Sequence, residues 1–308
     1  MNVLASALRS YVAMRRGFGY KFHHQEERLT DFVRFMRTRD AAFITRKLAL
    51  EWATQPQGRH STWTLRLTDV RGFARYLQSV DPRTEVPPTG MLPGLSRAKP
   101  YLYTKQEVRA LLEATLALTP TDGLRPWTYH CLFGLLAVSG LRLGEALALR
   151  SEDADLKEGV LTIRATKFGK TRLVPIHPSS LRVLVHYADR RDRLLCPPRS
   201  PYFLVAERGG KLLPQYVYRV FLRLSRQIGL RDPQAPVGPR LHDFRHRFAV
   251  ETLVRWYRQG RNVDLLLPVL STYMGHSCVR DTYWYLSACP ELMGHAVQKL
   301  EDSWGRPQ

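Results

Sequence analysis

Along the first eighty residues, apolar side chains recur at helical spacing, and no alternating pattern is present. A helix capped by Asn2 would carry Leu4, Leu8, Tyr11, Val12 and Met14 on one side. After the GFGYKFHH turn a second places Leu29, Phe32, Val33 and Phe35 together. A third runs through Leu48, Leu50 and Trp52. A fourth begins near Ser61 and aligns Leu65, Val70, Phe73, Tyr76 and Leu77. These four predict a small helical bundle over residues 1–81. From Asp81 to Pro100 the pattern stops. Pro82, Pro87, Pro88, Pro93 and Pro100, with Gly90 and Gly94, make a helix improbable, so 82–100 reads as an extended linker.

The remaining chain, 101–308, reads as one mixed domain. Thr104 and Glu107 stand at capping-box spacing ahead of Val108, Leu111 and Leu112. A buried helix at 126–138 follows, Gly140 breaks it, and a new helix starts near Leu141. GVLTIRAT and TRLVPIH then alternate like paired strands around a KFGK turn. Helices are predicted at 178–193, 214–228, 242–258, 263–274 and 290–303. The whole is mainly α, with one small antiparallel sheet.

Charge changes the picture. The formal net charge is +20, and Arg15, Arg16, Lys21, Arg34 and Lys47 give the first bundle a cationic surface. Such a surface can track a phosphate backbone. The four cysteines show no CxxC pairing, which fits a reducing cytoplasm. The most apolar stretch, Trp127 to Val138, is too short for a membrane span and is interrupted by His130. The first residues do not read as a signal peptide.

Candidate chemistry lies in SGLRLGEALAL, TKFGKTRLVPI, LHDFRHRFAV and MGHSCVRDTYWYL. Arg142 follows a glycine at a helix start, where backbone N–H groups favour anions, and Glu145 one turn on could orient it. His242 and Arg245 are three apart on a predicted helix and share a face. His242 and His246 also have the spacing of zinc ligands, but Asp243 stands where a zincin would carry Glu, and no third ligand is obvious. Lys167 and Lys170 are rival cations at the hairpin turn. His276 follows a glycine at the end of an apolar helix. Tyr283 and Tyr285 are rival nucleophiles. A tyrosine–phosphate ester keeps the energy of a cleaved bond, so a strand could be rejoined without ATP.

Taken together, these segments resemble the catalytic domain of the tyrosine recombinases, the phage integrase family, over about residues 101–288. The family pattern is GLR-x-x-E, a hairpin lysine before an RLVP-like strand, H-x-x-R, (L/M)-GH and a tyrosine about nine residues on. The resemblance selects Lys167, five residues before Arg172, and Tyr285. Met274 stands where Leu is more frequent. The N-terminal bundle looks like the family's SAM-like core-binding domain by pattern, position and charge. The resemblance implies a site-specific recombinase or integrase of Xer-like or mobile-element type. Its catalytic residues would be Arg142, Lys167, His242, Arg245, His276 and Tyr285, with Glu145 as orienter. Lys170 and Arg172 would join the basic residues of the bundle in contacting DNA. It implies no metal or other cofactor. The expected partners are double-stranded DNA with an inverted-repeat core site and three further copies of the chain, in a tetramer that exchanges helix 290–303. Sister recombinases are compatible additional partners. The setting would be the cytoplasm, at the nucleoid. The same residues could serve a type IB topoisomerase-like enzyme, and a DNA-binding accessory protein without catalysis is the alternative from another class.

Overall fold

A computed structural model describes residues 3–55, 60–94, 99–164, 171–235, 237–276, 278–285, 292–294, 297 and 301. The chain divides into two compact units, Met1–Ala98 and Lys99–Gln308.

The first unit contains α1 (Val3–Gly17), α2 (His23–Thr38), α3 (Arg46–Thr54) and α4 (His60–Gln78). Their apolar sides enclose Leu8, Leu29, Phe32, Met36, Trp52, Val70 and Phe73. Trp52 packs its ring against Phe32 at 5.0 Å and donates its indole N–H to Asp31 Oδ2 at 3.0 Å. The Arg66 guanidinium covers its other side, 3.6 Å from the ring centroid. Along α4 the phase differs from that expected. Leu65 is exposed, and Leu67 takes the core position.

The expected linker, 82–100, packs in part against the first unit. Val86, Met91 and Leu92 pack on the first core, and the unit extends to Ala98. Proline removes an N–H donor but leaves a carbonyl acceptor. Arg71 uses this, donating from Nε to Pro87 O at 2.7 Å and from Nη2 to Pro88 O at 2.8 Å. Thr64 Oγ1 donates to Pro93 O at 2.8 Å, and Glu85 N to Ile44 O at 2.8 Å.

The second unit is built on α5 (Lys105–Leu116) and α6 (Arg125–Ser139). The expected capping box is present at α5: Thr104 accepts from Glu107 N, and Glu107 accepts from Thr104 N. Helix α6 is apolar nearly all round and buries Cys131, Leu132, Phe133, Leu135 and Leu136. Gly140 ends it with φ 61°. Short α7 (Leu143–Ala148) and a three-residue 3₁₀ turn at Ser151–Asp153 lead into the sheet.

The sheet is antiparallel, in the order β1 (Ala154–Asp155), β2 (Val160–Ile163), β3 (Arg172–Pro175). Ile163 pairs with Arg172 at the turn end. Strand β1 was not expected, because two residues are too short to show alternation. Then come α8 (Pro178–Leu194), α9 (Pro214–Gln227), α10 (Asp243–Arg258), α11 (Val263–Met274) and α12 (Arg280–Tyr283). One core surrounds α6 and the sheet. A second joins α10 and α11 through Ala249, Leu253, Leu267, Leu270, Met274, Tyr285 and Leu292. Only part of the expected helix 290–303 falls within the described residues.

Gly140 is required where it stands. A Cβ there would lie 2.6 Å and 2.9 Å from ring atoms of Phe248. The left-handed backbone costs an ordinary residue about 1–2 kcal/mol, and overpacking adds about 1–3 kcal/mol. Gly140→Ala is therefore expected to destabilise the second unit by several kcal/mol, measured by urea unfolding.

Candidate active site

Two helix C-termini build the site. Helix α11 ends at Met274, where Gly275 turns left-handed with φ 66°. A side chain at 275 would collide with the Arg172 guanidinium, 2.8 Å from Nη1. The freed Met274 carbonyl accepts from Arg142 Nη1 at 3.5 Å and from Arg245 Nη2. Arg245 Nη1 donates to Gly140 O at 2.7 Å, just beyond α6, and Arg142 Nη2 to Gly275 O at 3.0 Å. Carbonyls at helix C-termini carry partial negative charge, which suits cations. They satisfy guanidinium hydrogen bonds without the full countercharge of a carboxylate. Two arginines distant in sequence thus share one acceptor.

Arg245 is only 1% exposed. Burial, and then repulsion from Arg142, lower its pKa to about 10, so it stays protonated at neutral pH. The Arg142 side chain, 33% exposed, is the more accessible of the two.

Glu145 holds Arg142 in place. It accepts from Arg142 Nη1 at 2.8 Å and from the Arg142 backbone N at 3.0 Å. On its other side Arg172 grips it with both terminal nitrogens, at 3.1 and 2.7 Å. Arg172 Nε donates to Tyr273 O at 2.7 Å. Burial alone would raise the Glu145 pKa, but the hydrogen bonds from Arg172 and Arg142 outweigh it and hold the carboxyl at about 2. Arg172 and Glu145 are each 9% exposed at the side chain. Arg172, expected among the DNA contacts, is engaged here by Glu145 and the Tyr273 carbonyl. Its guanidinium faces inward and ties β3 to α7 and α11.

The imidazoles and the tyrosine complete the cluster. Tyr285 is 3% exposed and belongs to the second core. Tyr283, the rival, is 51% exposed. The His276 ring stacks on Tyr285, centroids 5.8 Å apart. His276 Nδ1 pairs with the hydroxyl of fully buried Thr282 at 2.8 Å. Burial, then Arg245 and Arg142, lower the His276 pKa to about 4, so the ring is neutral near pH 7. His242, at the head of α10, is pushed down by the same two kinds of cause, burial and then Arg245. Burial raises the Tyr285 pKa, and Arg245 opposes this by charge and by a hydrogen bond.

Lys167 and Lys170 lie outside the described residues. In the first unit, Arg15 stacks over Tyr20 at 4.4 Å and Arg16 pairs with Glu26 at 2.5 Å. Arg34 sits 3.7 Å from Asp31, and Lys21 and Lys47 are exposed. Among the described residues, no group of three or more His, Cys, Asp or Glu side chains could hold a metal ion, and no helix is long and apolar enough to cross a membrane. His246 has the spacing of a zinc ligand from His242. Its ring in fact touches both His242 and Tyr285.

A mostly helical unit with a small antiparallel sheet, carrying arginines, imidazoles and a buried tyrosine at two helix ends, has the architecture of a tyrosine recombinase. The chain belongs to the phage integrase family, whose model matches residues 102–291. It is 50% identical over 310 residues to a protein of Sinorhizobium fredii named integrase/recombinase y4rB, covering 99% of both chains. It is 29% identical over 210 residues to the tyrosine recombinase XerA of Pyrococcus furiosus, covering 67% of this chain and 64% of XerA. In fold it is similar to the Tn1549 transposon integrase solved with transposon right end DNA. That likeness has a TM-score of 0.67 at 16% identity and covers 96% of this chain and 98% of the other.

Proposed function

We propose that this recombinase cuts and rejoins DNA strands through Tyr285. The Tyr285 hydroxyl oxygen attacks the scissile phosphorus and forms a 3′-phosphotyrosine ester. The bond from phosphorus to the 5′-oxygen breaks, and that strand leaves as a 5′-hydroxyl. The observation that carries this reading is the convergence of Arg142 and Arg245 on the Met274 carbonyl, with Tyr285 beside Arg245.

Each residue has a role that its surroundings support. Arg142 and Arg245 neutralise the nonbridging oxygens as charge builds, an effect on the order of 3–4 kcal/mol each by comparison with other oxyanion donors. Burial keeps the Tyr285 hydroxyl protonated at rest, so the attack needs a proton acceptor, and neutral His242 serves. His276, whose Nδ1 pairs with the Thr282 hydroxyl, hydrogen-bonds the phosphate through Nε2. Lys167 protonates the departing 5′-oxygen. The reverse reaction, with the 5′-hydroxyl of another strand, gives recombination. Glu145 orients Arg142.

The substrate is double-stranded DNA with an inverted-repeat core site, held by both units. In the first unit Arg15, Arg16, Lys21, Arg34 and Lys47 contact phosphates, and in the second Lys170 does so. Four copies act on two sites, exchanging the segment 290–303. In that segment Leu292 is buried on its own chain, while Met293 and Val297 are exposed. The setting is the integration or transposition of a phage or mobile element, in the cytoplasm. The name of the Sinorhizobium fredii relative supports an integrase role.

The test is a nicked suicide duplex carrying the core site. A covalent complex that survives SDS is expected. Binding without an adduct would overturn the proposal in favour of an accessory role. Affinity for a nonspecific duplex should fall with salt, the log–log slope being about −0.9 per phosphate neutralised. A salt titration by fluorescence anisotropy measures it, and a flat response would count against phosphate tracking.

A further inference from the structure

Imidazoles hold Tyr285 on two sides. His276 lies nearly parallel to its ring, at an interplanar angle of 24°. His246 meets the ring edge-on, centroids 5.3 Å apart at 65°. The same His246 ring stands edge-on to His242 at 5.0 Å and 86°. It therefore bridges the gap between His242 and Tyr285.

His246 is an expensive choice for that place. Its Nδ1 is buried and has no hydrogen-bond partner among the described residues. Such atoms are uncommon in folded proteins, and an apolar ring would avoid the loss. The ring is also kept uncharged, since burial and then His242 lower its pKa to about 4. A neutral, flat side chain wedged against the tyrosine is suited to holding an aromatic ring by its edge.

We propose that His246 is a positioning residue for the strand-cutting step: with His276 it forms a slot that fixes the Tyr285 ring, and so keeps the hydroxyl beside Arg245. The proposal rests on the reading of Tyr285 as nucleophile. It assigns His246 no contact with DNA and no proton transfer.

Two ringless variants test it, His246→Ala and His246→Gln, the second keeping most of the volume should the first fail to fold. His246→Phe restores a ring without nitrogen. Single-turnover cleavage of the suicide duplex, at saturating protein, is expected to fall up to ~10²-fold in the ringless variants, the scale of loss for a misplaced reacting group. Duplex affinity and melting temperature should change little. His246→Phe should recover most of the rate.

A second readout needs no catalysis. Tetranitromethane nitration of the free protein, mapped by mass spectrometry, should modify exposed Tyr283 in every variant. Tyr285 should be protected in the wild type and in His246→Phe, and become reactive in both ringless variants. Ringless variants that cleave at the wild-type rate with Tyr285 still protected would overturn the proposal. So would a His246→Phe protein as slow as His246→Ala although its Tyr285 is protected. If Tyr285→Phe still formed the adduct, the nucleophile reading would fail instead, while nitration would still decide whether the slot exists.

Discussion

Tyr285→Phe is expected to eliminate the SDS-resistant DNA adduct and all strand exchange, while DNA affinity and melting temperature stay close to wild type. The substitution removes one oxygen. The ring keeps its place between His276 and His246, and Arg245 keeps its bonds to Gly140 O and the Met274 carbonyl. Loss of a covalent nucleophile in enzymes of this kind of chemistry lowers turnover by as much as roughly 10⁶-fold, so no adduct should be visible on a gel. Tyr283→Phe is the control. That side chain is exposed, and its loss should leave the adduct intact. An adduct that persists in Tyr285→Phe and disappears in Tyr283→Phe would reverse the assignment.

The second large effect is expected at Glu145. Glu145→Gln keeps the shape and removes the charge, leaving Arg172 in a site where its side chain is 9% exposed. Removing one partner of a buried ion pair costs about 3–5 kcal/mol. Denaturant unfolding of the second unit should show a loss of this order. The strand-cutting rate should fall as well, because one of the two oxygens that accept from Arg142 becomes an NH2 group and the other loses its charge.

The pH dependence has a definite sign. The folded carboxyl is held at about 2, against an ordinary 4.5. Its stabilisation is therefore complete above the ordinary value and is lost as pH falls from there through 2. Glu145→Gln should lack this part of the acid unfolding curve. Parallel wild-type and variant stability curves between pH 5 and about 2 would show that the bridge does not contribute in this way.

Much of this was legible in the residues because local rules and tertiary packing agree. Thr104 and Glu107 announce the start of α5, and Gly140 announces the end of α6, through geometry that needs no partner. The turn-spaced His242 and Arg245 lie at the head of α10, as their spacing requires. Other features were hidden for physical reasons. An arginine reads alike whether it faces DNA or a buried carboxylate, so the pairing of Arg172 with Glu145 could not be read from the residues. Tyr283 and Tyr285 are equivalent to composition and phase, and only family spacing chose between them. Strand β1 is too short to carry a pattern. Prolines at 87, 88 and 93 suggested an extended linker, and their carbonyls fasten the segment to α4.

The Met274 carbonyl has a consequence for how this enzyme can be mapped. The part of residue 274 that orders the two arginines is main chain, and every amino acid supplies it. Leu in place of Met at 274 should therefore be almost silent, and alanine scanning would report only a packing defect. Replacing the amide that follows with an ester, which weakens the carbonyl as an acceptor and leaves the side chain untouched, would expose the position. A survey confined to side chains would pass over the hinge on which the site is hung.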